Sequence, residues 1–217
     1  MLRVFLTAIL FFLNSYTFGQ VNMSKLIQGV KIATLPYSTE QFKNKSFYDD
    51  RKSLHSLDSV FIMQSLKNIS PIVLNPYGGS SFGEIDCPDT SQCFYLLEMK
   101  GISLLSVLKT NGIYLLHAQL EMEDSPSVGL IISINNKGNI INWLFSDGSL
   151  NDGNPHGNIS RNMTILSNKL IKINEVSWGD NTMAYSLKAT FQIGQGTKAN
   201  DDIENGSILL KSFSINY

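Results

Sequence analysis

The sequence predicts a mainly β fold, an antiparallel meander forming a barrel or a two-layer sandwich, with one N-terminal helix packed on the sheet. Three observations carry this. From residue 94 to the end, apolar and polar residues alternate at period two, which places every second side chain on one face of a strand. Turn residues punctuate these runs at Thr110-Asn111-Gly112, Asn135-Asn136-Lys137-Gly138 and Gly179-Asp180-Asn181. Only one stretch, 54–67, repeats its apolar residues near 3.6, through Leu54, Leu57, Val60, Phe61 and Leu66, with Ser53 or Ser56 as cap and Pro71 beyond its end.

Residues 1–19 have the layout of a secretory signal peptide: Arg3, an apolar run over 4–13, then Thr17 and Gly19 three and one before a cut at Gln20. The apolar run is far shorter than the roughly 20 residues a membrane-crossing helix needs, and no later stretch reaches that length. Residues 20–217 are expected to form a single β-rich domain that is secreted or periplasmic. The pattern of 25–33, KLIQGVKIA, suggests a first strand stopped by Pro36. Residues 71–93 are rich in Pro, Gly, Ser and Asp, and loops of that length are uncommon in compact domains unless they have a task. Strands are then expected over 94–99, 102–109, 113–122, 128–134, 140–146, 162–166, 170–178, 183–193 and 207–217, with polar loops at 146–160 and 194–206.

The central hairpin, 128–146, admits two registers. A three-residue loop pairs Ile134 with Ile140, whereas a four-residue loop pairs Ile132 with Ile141, Leu130 with Trp143 and Val128 with Phe145. The longer loop gathers those six apolar residues on one face and is the expected register. The opposite face keeps Ile131, Ile140 and Leu144, and so should be partly covered by another layer. On 113–122, Tyr114, Leu116, Ala118 and Leu120 share one face; Ile113, Leu115, His117, Gln119 and Glu121 share the other, where His117 is expected to be a half-exposed sheet histidine.

Candidate chemistry is sparse. Gly79-Ser80-Ser81-Phe82-Gly83 matches the G-x-S-x-G elbow of serine hydrolases, with Ser81 as nucleophile, but Asp86 and Cys87-Pro88 follow where the elbow needs a helix. Cys87 and Cys93, the only cysteines, are expected to form a short-loop disulfide in an exported chain. Asp147, Ser149 and Asn151 alternate as calcium ligands do, yet Asp152 and Asn158 stand where an EF-hand has Gly and Glu, so an ordinary solvated loop is favoured and no metal or other cofactor is expected. A formal net charge of -1 without a basic patch argues against nucleic acid as partner. The expected function is a non-catalytic binding or interaction module for an extracellular ligand or an envelope protein. The alternatives are a secreted hydrolase using Ser81 or dispersed carboxylates, and a structural protein of the cell envelope.

Overall fold

The computed structural model describes residues 22–42, 52–53, 56–69, 71–72, 99–110, 112–122, 128–151, 158–166, 170–179, 182–194 and 206–217. The expected meander is present. Strands β3 (Met99–Thr110), β4 (Ile113–Met122), β5 (Val128–Asn135), β6 (Ile140–Asn151), β7 (Asn158–Ile165), β8 (Leu170–Gly179), β9 (Thr182–Ile193) and β10 (Ile208–Asn216) pair antiparallel in chain order. Two short strands join the edges, β1 (Tyr37–Ser38) on β7 and β2 (Lys52–Ser53) on β3. The sheet is not closed, so of the two architectures expected it is the sandwich and not the barrel.

The fold turns on β6. Its first part, 140–147, pairs with β5, and its last residues, 148–151, pair with β7. The strand therefore belongs to two sheets, β2 to β6 and β6 to β10, and the second lies over one face of the first. Residues from both meet there: Ile113, Leu115, Ile131 and Leu144 pack with Met163, Ile171, Ala189 and Phe191. The other face of the first sheet carries Leu116, Leu130, Ile132, Trp143 and Phe145, covered by Met23 and Leu26 of α1 (Met23–Leu26) and by Ile62 and Leu66 of α2 (Ser56–Lys67). Because both faces of this sheet are covered, β5 is buried along nearly its whole length, which is why its sequence is close to continuously apolar. The Trp143 indole N–H donates to the Ile69 carbonyl at 2.6 Å and the Ile72 N–H to the Trp143 carbonyl at 2.8 Å, fastening the end of α2 to β6.

Three local expectations are corrected. The segment 25–33 is not a strand: Asn22 caps α1 by accepting from the Lys25 N–H, Met23 and Leu26 are buried three residues apart, and its pairing with β3 is a single parallel bridge of Ile32 to Val107, made by the Ala33 N–H donating to the Val107 carbonyl and the Val107 N–H to the Lys31 carbonyl. The central hairpin has the shorter loop, with Ile134 opposite Ile140, Gly138 at φ 85°, and the Asn135 carboxamide oxygen accepting from the N–H groups of Lys137 and Asn139. A bulge just beyond the turn then shifts the register, so that Ile132 faces Trp143 and Leu130 faces Phe145. The expected apolar face survives without Ile141, because one extra residue reverses the alternation. Finally, 146–151 is not loop but the continuation of β6 into the second sheet.

Gly129 stands opposite Asp147 across β5 and β6, and a Cβ placed on it would lie 2.5 Å from the Asp147 Cγ. Gly129→Ala should therefore cost about 1–3 kcal/mol of stability in urea unfolding. In an Asp147→Ala background the same change should cost much less, because the colliding carboxylate is gone; equal costs in both backgrounds would show that Gly129 has another reason.

Candidate functional site

The inward positions of β4 grade from apolar to polar, through Ile113, Leu115, His117, Gln119 and Glu121, so the space between the sheets is apolar at one end and polar at the other. His117 sits where the two regimes meet. It is buried, not half-exposed as its mixed face suggested, because β1 and the second sheet lie over it. Its Nε2 is 2.8 Å from Asp147 Oδ1 and its Nδ1 is 2.5 Å from the Tyr37 hydroxyl. The Tyr37 ring meets the imidazole edge-on at 5.7 Å. Ser146 donates its hydroxyl to the same Asp147 oxygen at 2.5 Å, and Ser106, paired with His117 across β3 and β4, hydrogen-bonds to the Tyr37 phenol.

A second polar group continues from the first. Arg161 of β7 donates to the Phe145 carbonyl at 3.1 Å, and its guanidinium holds Glu175 of β8 with Nε 2.7 Å and Nη2 2.5 Å from Oε2. Tyr185 of β9 donates to the other Glu175 oxygen at 2.8 Å. At the polar end of this region Ser103 donates to Glu121 at 2.5 Å, while Gln119 Oε1 is buried with no hydrogen-bond partner among the described residues.

Protonation follows from these surroundings. Burial alone would push the Asp147 carboxyl up; the charge of His117, its hydrogen bond, that of Ser146 and the charge of Arg161 more than reverse this and hold it below the ordinary 3.8. Burial pushes the Tyr37 phenol well above its ordinary 10.0, opposed by the Ser106 hydrogen bond and reinforced by the Asp147 charge. An ionised Asp147 only accepts, so His117 Nε2 carries a proton. A carboxylate orienting an imidazole that faces a hydroxyl is the arrangement that activates nucleophiles, but here the hydroxyl belongs to a tyrosine only 3% exposed.

Of the residues singled out in the sequence, Ser81, Cys87 and Cys93 lie outside the described residues, as do 1–19 and nearly all of 71–93. Asp147, Ser149 and Asn151 lie on β6 and not in a calcium-type loop, and the Asp147 carboxylate is engaged by His117 and Ser146. Tyr37, Ser146, Arg161, Glu175 and Tyr185 were not anticipated. The ion pair did leave a trace: Arg161 continues the inward row Ile165, Met163 on β7, Glu175 continues Ile171, Ile173 on β8, and the two are register partners. No family model matches the chain, and comparison with curated proteins and with solved structures finds no match to it either.

Since the Asp147 pKa is depressed in the folded protein, its contribution is present above pH 3.8 and is lost as pH falls through the folded value. Asp147→Asn should cost about 3 kcal/mol at neutral pH, and the gap to wild type in urea unfolding should shrink below pH 3.8. Tyr37 has the opposite sign: its folded pKa is raised, so stability is full below pH 10.0 and falls as pH rises above it, a loss that Tyr37→Phe should remove. A pH-independent gap for either variant would contradict these protonation states.

Proposed function

We propose that this chain is an exported, non-catalytic interaction domain acting on a ligand outside the cytoplasm, with residues 1–19 as cleaved signal and Cys87 joined to Cys93. The observation that carries this is the enclosure of the one acid–base constellation among the described residues. Tyr37 is 3% exposed and His117 is 1% exposed, and every polar atom between them is taken by another residue of the chain. A general base must reach the proton of a bound substrate; both ring nitrogens of His117 are held inside the fold, Nδ1 by Tyr37 and Nε2 by Asp147. The relay therefore spends its hydrogen bonds on the fold, and contact with a partner falls to the outer surface. The hydrolase alternative rests on Ser81, which lies outside the described residues, or on dispersed carboxylates.

Expression with the native N-terminus, followed by intact mass spectrometry and fluorophosphonate labelling, tests this. The expected result is an exported species starting at Gln20, with both cysteines alkylated only after reduction and no labelling. A full-length cytoplasmic species with freely alkylated thiols would overturn the export reading. Labelling that disappears in Ser81→Ala would overturn the non-catalytic one.

A further inference from the structure

We propose that the outward face of β7 to β10 binds a carboxylate-bearing polysaccharide; this deepens the reading above and rests on it. Charge is the first argument. The only carboxylate in these four strands is Glu175, and it is turned inward onto Arg161. The outward residues of β8 and β9 include two exposed lysines, Lys172 and Lys188, which stand one register step apart, Lys172 opposite Thr190 and Lys188 opposite Asn174. In a chain of formal net charge -1, a sheet face with lysines and no carboxylate among its described residues is locally positive and complements an anion.

The second argument is what surrounds the lysines. Trp178, at the end of the same outward row of β8, is 45% exposed, beside Met183, which is 49% exposed. A half-exposed indole offers a flat apolar ring with a polar N–H handle, which suits the apolar face of a sugar. Between Trp178 and Lys172 the row is filled by Val176 and Asn174, and the Asn174 amide donates to Asn162 of β7 at 3.4 Å. Amides and hydroxyls that both donate and accept match the hydroxyls of a glycan. Six residues of strand span about 20 Å, so the occupant is an extended chain. Nucleic acid fits poorly, because typical duplex binders neutralise roughly six to ten phosphates and this row offers two lysines.

Binding of the mature chain to alginate oligosaccharide, measured by calorimetry at low salt, tests the assignment, with neutral dextran and polyglutamate as the other probes. Alginate should bind and the other two should not. Trp178→Ala should weaken it by about tenfold, and Lys172→Gln combined with Lys188→Gln by at least as much, both with unchanged circular dichroism. Three results would each overturn the glycan assignment: no alginate binding, equal binding of polyglutamate that is insensitive to Trp178→Ala, or alginate binding that survives both variants. Any of these, with the Gln20 start and absent labelling intact, leaves the exported interaction domain standing; failure of that reading shows instead in the mass and the label.

Discussion

A single carboxylate holds the point at which one sheet becomes two. Asp147 is the last residue of β6 paired with β5, and Gly148, at φ 147°, begins the pairing with β7. Placing that charge between layers costs several kcal/mol unless it is compensated. Here His117 and Ser146 donate to it and Arg161 adds a nearby positive charge. The position also dictates its neighbours: Gly129 is the residue that leaves room for the carboxylate, and His117 must present Nε2.

The departure of β6 leaves the edge of β7 half paired, and the N-terminal segment fills the gap. β6 accompanies β7 only as far as Arg161, and β1 takes over at Thr164. Between them the Met163 backbone is satisfied by one side chain, the Thr39 hydroxyl, which accepts from its N–H at 2.9 Å and donates to its carbonyl at 3.3 Å. Seating β1 there brings Tyr37 over His117, so edge repair and relay are one event. The apolar end supplies most of the association between sheets, because burial of side chains such as Phe191 and Leu144 is non-directional. The polar end supplies register, since ion pairs and hydrogen bonds tolerate little displacement. With the interior committed in this way, the recognition we propose falls to the outer surface, where Trp178 and the two lysines lie.

Much of this was legible in the sequence, and the failures have physical causes. Period-two patterning placed β4 to the residue and the last four strands to within a few, because a half-buried strand must alternate. The helix at 56–67 was visible from its apolar repeat. The bulge beyond Gly138 was not, since one inserted residue leaves no compositional mark. The crossover reads as a loop in the sequence because the residues that let β6 change sheets, Asp147 and Gly148, are also those of ordinary turns. Tyr37 and Asp147 are 110 positions apart, and only the edge of β7 brings them together. No pattern in one chain encodes that meeting, although the Arg161 and Glu175 interruptions of two apolar rows signalled a buried pair.

The most direct test of the central role given to Asp147 is the protonation of the His117 imidazole, observed by nitrogen-15 and proton NMR on the folded protein at neutral pH. The expected result is a proton on Nε2, slow to exchange and shifted downfield by its bond to Asp147, and lost from that position in Asp147→Ala. A bare Nε2, or an imidazole spectrum indifferent to Asp147→Ala, would contradict the account.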